Sequence, residues 1–252
     1  MGALVNALVS AFPALLGATE LTIACAVVAA LIALALGIPA GFGRVSRAPL
    51  VRSLSTFYVE TIRGTPLLLQ LFVWYYGVSI VLLTLFNLDI DTTVYQVLTA
   101  LNSNSFFPTG GVSSFFFAVV GLGFNYGAYM AEVVRAGIQA VDPGEVEAAH
   151  SLGLSQFQTS RLVVLPQALR LMIPPLTNNL ITLVQDTSFL QVLGIAELSL
   201  VTYGFTTAIS SPSIRWTFYG VALLEYFVIC YALALVSQWY ERRTAHTLAG
   251  AH

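Results

Sequence analysis

Carboxylates, amides and hydroxyls set in apolar sequence are the residues of this chain whose chemistry needs an account. Asp186 lies in the run Gln185-Asp186-Thr187-Ser188, shortly after Asn178-Asn179, and Thr65 and Gln70 punctuate a separate apolar stretch. Together they supply donors for an anionic group and oxygen acceptors for a cationic one, enough to hold a small solute that carries both charges. The same groups can instead bond helix to helix, and for each of them both readings stand. Asp186 is singled out because a carboxylate within hydrocarbon is costly unless it faces a cavity or a partner charge. Glu132 and Arg135, three residues apart, can pair on one helix, and Glu60 and Arg63 share that spacing; both pairs read as structural. Glu20, Glu197 and Glu225 fall near the ends of apolar runs, where interfacial roles dominate. Trp74, Tyr75 and Tyr76 could stack on a solute, but membrane proteins also place such residues at interfaces.

Other chemistries lack their residues. Cys25 and Cys230 sit in apolar stretches with no partner at metal-ligand spacing, and His150, His246 and His252 are scattered; no metal site is expected. No nucleophile and base form a catalytic constellation. A phosphate-binding loop ending in Gly-Lys-Ser/Thr is missing, and the chain has no lysine at all. The chain is therefore expected to be no enzyme, to bind no cofactor and to engage no nucleic acid.

The elements that must position these groups follow from hydropathy. Of 252 residues, 57% are hydrophobic and 9% charged, in runs too long for a soluble core. A membrane-crossing helix needs about 20 apolar residues, and five spans are expected, at 19–41, 56–83, 112–141, 173–193 and 218–238, in a single domain of residues 1–252. Met1 to Ala18 carry no Lys or Arg, which argues against a cleaved leader with a charged start.

The arginines orient the spans. Arg44, Arg47, Arg52, Arg63, Arg135, Arg161, Arg170, Arg242 and Arg243 flank one set of connections, and Arg215 alone falls on the other. By the positive-inside rule the N-terminus is outside and the C-terminus cytoplasmic. Residues 84–111 then form a long external segment, with a short amphipathic helix expected at 94–101.

The cytoplasmic connection, 142–171, reads as a protruding knob. Asp142 can cap a helix with Pro143 in its first turn and Glu145 and Glu147 near its positive end. Gly153 supplies a stop, and Ser155 can cap a second helix running through Arg161 to a break at Pro166. Such a knob can dock a partner or pack on its own membrane domain.

The order Glu147-Ala148-Ala149, then Gly153, then Val163-Val164-Leu165-Pro166 resembles the coupling motif of bacterial ABC importer permeases. Three further stretches resemble the polar amino acid branch of that family, which includes histidine, arginine and glutamine importers. These are Arg63-Gly64-Thr65-Pro66-Leu67-Leu68-Leu69-Gln70, the run from Asn125 to Ile138, and the ordered set Leu165-Pro166-Gln167-Ala168, Pro174-Pro175, Asn178-Asn179 and Asp186-Thr187-Ser188. Gln185 departs from the pattern, standing where the family commonly has lysine.

The resemblance implies an all-α integral membrane protein of the type I ABC importer fold, with cytoplasmic coupling helices, in a bacterial inner membrane. It implies Glu147, Ala148, Ala149, Gly153 and Leu154 as the residues that receive the ATPase's motion. Its partners would be two ATPase subunits holding ATP and Mg, a second permease subunit, an external amino-acid-binding protein, an amino acid substrate and membrane lipid. Thr65, Gln70, Asn178, Asn179, Gln185, Asp186, Thr187 and Ser188 would line the substrate pathway. The alternative is an ion-coupled secondary transporter or channel, which needs no ATPase and no knob.

Overall fold

The computed structural model describes residues 2–86 and 112–249. The rest of the expected external segment, including the helix expected at 94–101, lies outside the described residues. Helix α1 (Gly2–Arg44) is followed by α2 (Pro49–Arg63), α3 (Leu67–Phe72), a π-helical stretch at Val73–Val78 and α4 (Ser79–Phe86). Then come α5 (Val112–Gln139), α6 (Pro143–Ser151), α7 (Gln156–Thr159), a second π stretch at Ser160–Val164 and α8 (Leu165–Asp186). A 3-10 stretch at Thr187–Leu193 leads to α9 (Leu198–Ala208) and α10 (Pro212–Ala249). No strand occurs among the described residues.

Among the described residues, four helices are long and apolar enough to cross a membrane, and a fifth crossing arises if 156–193 and 198–208, bent by 54° at their junction, form one span. The first expected span is the middle and end of a much longer helix, because the apolar, alanine- and leucine-rich sequence before residue 19 continues the same turns. The second is divided at Gly64-Thr65-Pro66: Pro66 has no N–H and disfavours helical backbone at Thr65, so Pro66 is extended (φ −65°, ψ 135°) and caps α3. The expected break at Pro166 does not occur. Leu165 donates instead to the Ser160 carbonyl five residues back, and this wide turn absorbs the missing N–H and ring bulk that would stop an ordinary helix.

Contacts gather the chain into two compact units, 1–32 with 65–124 and 182–231, and 33–64 with 125–181 and 232–252. The first unit buries Ala11, Leu15 and Ala18 of α1 against Leu198 of α9 and Phe218 and Ala222 of α10. The second buries Val59 of α2 with Ala128 and Ala131 of α5, and separately Val134 and Val141 with Ala168 and Met172 of α8.

Glycine decides how closely α1 and α5 approach. In the second unit a Cβ on Gly37 would stand 2.7 Å from the Gly127 carbonyl oxygen, and one on Gly41 would stand 2.5 Å from Val134 Cβ. In the first unit a Cβ on Gly123 would meet Ile32 Cβ at 2.7 Å. Gly37 with Gly41, and Gly123 with Gly127, are two Gly-x-x-x-Gly pairs facing each other's helix, the small-residue device by which membrane helices pack backbone to backbone.

Candidate functional site

The knob is built from local signals. Asp142 caps α6 through Oδ1, which accepts from the Gly144 N–H at 2.8 Å, and Pro143 opens the helix. Gly153 closes it with φ +84°. Its N–H donates to the His150 carbonyl at 2.9 Å and the Leu154 N–H donates to the Ala149 carbonyl at 3.1 Å, the paired bonds of a Schellman turn, which needs a residue in left-handed backbone. Ser155 then starts α7 with a reciprocal capping box to Gln158.

The knob is fastened to its own unit. Gln167 of α8 donates to Glu145 of α6, and Val146 packs on the cluster of Val134, Val141, Ala168 and Met172. Of the expected coupling residues, Glu147, Ala148 and Gly153 are exposed and Leu154 is half-buried. Ala149 is buried, so its small side chain permits α6 to lie close on its own unit. Leu152, 84% exposed, and Phe157, 72% exposed, add an apolar surface that the expected list lacked. The sequence signal for them is an apolar residue just before a helix-ending glycine and another just after a helix cap. A cavity of about 420 Å³ adjoins this surface, lined by Phe42, Val45, Ile138, Phe157, Arg161 and Val164 among others.

A charge network joins three helices of the same unit. Arg44, in the last turn of α1, reaches Glu60 of α2 and Glu132 of α5, each at 2.6 Å. Arg135 pairs with Glu132, and Arg63 lies 3.8 Å from it with its guanidinium over the Tyr129 ring at 5.4 Å. The expected Glu132–Arg135 pair is present, whereas Glu60 bonds Arg44. Charges held mutually in this way need no solute to satisfy them.

The expected solute-pathway residues fall in both units. In the second, Asn178 is exposed and Asn179 half-buried on α8. In the first, Gln70 is buried and its Nε2 donates to the Thr65 carbonyl at 3.0 Å and to Thr65 Oγ1 at 2.8 Å. Gln70 thereby satisfies an acceptor exposed by the Pro66 break, a job fitting the structural reading. Gln185 is exposed, Asp186 and Ser188 half-buried, and Thr187 buried with its hydroxyl donating to the Val184 carbonyl at 2.7 Å. Asp186 ends α8 where the backbone tightens into the 3-10 stretch.

Glu197, expected near an interface, is fully buried in the first unit. Its carboxylate caps α9, accepting from the N–H groups of Ser199 and Leu200 at 2.9 Å each and from the Tyr226 hydroxyl at 2.7 Å. The Leu198 N–H donates to Thr22 Oγ1 of α1 at 3.1 Å. Four groups from α9, α10 and α1 thus fix the bend after the 3-10 stretch. Its signal was present: a carboxylate directly before an apolar helical run, after a glycine, reads as an N-cap.

Comparison with known proteins agrees with this architecture. Residues 33–246 match the family described as binding-protein-dependent transport system inner membrane component. The inner membrane amino-acid ABC transporter permease protein YhdY of Escherichia coli (strain K12) is 36% identical over 90% of this chain, which spans only 55% of that protein. The L-cystine transport system permease protein TcyB of Bacillus subtilis (strain 168) is 32% identical over 93% of this chain and 88% of its own length. A solved amino acid ABC transporter with histidines aligns with TM-score 0.76 and 28% identity over 94% of this chain and 96% of its own. The methionine transporter MetNI, at 20% identity, shares the fold with TM-score 0.64 over 91% of this chain and 97% of its own. A match over most of the chain, joined to an all-helical membrane fold with a capped knob between α5 and α8, settles the family: the chain belongs to the inner membrane components of binding-protein-dependent transport systems.

Proposed function

We propose that this chain is the permease subunit of an ATP-driven importer of polar amino acids, working by alternating access. The observation that carries the reading is the knob: α6, capped at both ends and tied to α8 by Gln167 and Glu145, with the capped α7 after it, together leaving Glu147, Ala148, Leu152 and Phe157 on the surface. A rigid protrusion with apolar tips suits a groove on a partner that closes and reopens, because force applied to α6 passes directly to α5 and α8 through the Val146 contacts. An ion-coupled transporter has no use for such a surface.

The wider assembly would hold two permease subunits, two ATPases carrying ATP and Mg, and an external binding protein. Amino acids as cargo are supported by the names of the relatives and by the amides, hydroxyls and carboxylate of the expected pathway, which suit a zwitterion. Uptake by the reconstituted complex tests the reading. Glu147→Arg together with Leu152→Ala should abolish ATP-dependent amino acid uptake while the complex still inserts in the membrane. Undiminished uptake by that variant, or uptake by the chain without any ATPase, would refute it. A cognate binding protein that takes only sugars or metals would refute the cargo.

A further inference from the structure

We infer that the hairpin joining α9 to α10 is the docking contact for an acidic loop of the external binding protein. The inference rests on the permease reading above and adds a place and a chemistry to it. By sequence, the residues of the first unit include six carboxylate side chains and, of the ten arginines, Arg215 alone. That cation sits in the first turn of α10, after Ser211 accepts its N–H at 3.2 Å. Positive charge there opposes the helix dipole, so neither fold nor topology favours it.

Arg215 is nonetheless held in place. Its Nε donates to the Ile209 carbonyl, and no carboxylate pairs with it among the described residues. It lines a concavity of about 320 Å³ with Tyr203, Thr206, Thr207, Trp216 and Tyr219. The Thr206 and Tyr219 hydroxyls lie 3.1 Å apart, and the Trp216 and Tyr219 rings have centroids 6.4 Å apart. Beneath them Phe218 is fully buried and stacks on Phe205 at 5.6 Å, so the wall stands on packed core. Trp216 itself is 76% exposed.

Arginine with tryptophan and tyrosine is the composition of the residues that dominate protein interfaces, and a held guanidinium facing outward is shaped for a carboxylate. Pre-organised groups bind without the entropy loss of ordering a loop. The family transports with the help of a binding protein, and the arginine distribution places this hairpin on the external side.

The test uses the full complex in lipid nanodiscs, with ATP hydrolysis measured against the concentration of substrate-loaded binding protein. Arg215→Glu and Trp216→Ala should each raise the half-saturating concentration by about tenfold or more, with the maximal rate recovered at high binding protein. An unchanged half-saturating concentration, or a fall in maximal rate alone, overturns the inference and leaves the permease reading intact. A wild-type complex that binding protein fails to stimulate overturns both. A photo-crosslinking residue in place of Trp216 should capture the binding protein; capture of phospholipid instead would make this cluster a membrane anchor and overturn the inference.

Discussion

At Gly153 and Glu197 single side chains decide the conformation of a turn. Gly153 holds φ +84° with open space around it, so the cost of a Cβ there is conformational and not steric. Gly153→Ala should destabilise the knob by about 1–2 kcal/mol, while Gly153→Asn, which visits left-handed backbone more readily, should cost less. Hydrogen exchange at the amides of residues 150–154 reads the difference. Glu197→Ala removes a buried acceptor of three bonds and leaves the N–H groups at the start of α9 unmet. A loss of at least about 2 kcal/mol is expected, seen as a lower melting temperature in detergent, with Glu197→Gln intermediate because its carbonyl oxygen retains part of the cap. Gly153 as a stop was legible because glycine after a capped helix is a local signal. Glu197 was misjudged because its burial depends on α1 and α10 folding over it.

Between elements, the deciding quantity is how near two backbones come. Gly41→Leu places a side chain where Val134 Cβ already stands, and Gly17→Leu, with nothing within 4 Å of its Cβ, serves as the control. The first should prevent stable assembly or lower the melting temperature sharply, and the second should leave it nearly unchanged. At the α2–α3 break, Gln70→Ala should remove the two hydrogen bonds that its amide donates to Thr65 and cost about 1–3 kcal/mol of stability. If Gln70 serves the break and not the solute, transport by the surviving protein keeps its order of preference among amino acids; a reordered preference would return Gln70 to the pathway. The helix-start residues Asp142, Ser155 and Pro143 announced their elements because caps act within a few residues. The continuation through Pro166 was not legible, since it depends on a widened turn at Ser160–Val164 that no residue type marks.

For the whole molecule, the arginines and the contacts sort the chain in the same way. The unit of 33–64, 125–181 and 232–252 contains nine of the ten arginines with six carboxylates, and the other contains Arg215 with six. By the positive-inside rule, arginines near the ends of spans are retained on the cytoplasmic side of a membrane. Alkaline phosphatase needs an oxidising exterior for its disulfides, so fused after Ser211 it should be active and fused after Glu241 inactive. The reverse pattern would invert the orientation and with it the roles of knob and hairpin.

The apolar runs, the arginine asymmetry and the knob's caps were set by the sequence alone, because hydropathy, charge and capping act on residues close along the chain. Which carboxylates are held structurally was a tertiary matter. Arg44 is 88 residues from the Glu132 it pairs with, and Glu197 is 29 from Tyr226; no local pattern relates such partners. The approach of α1 to α5 was likewise decided by packing, since a glycine's missing Cβ matters only when another helix stands where it would have been.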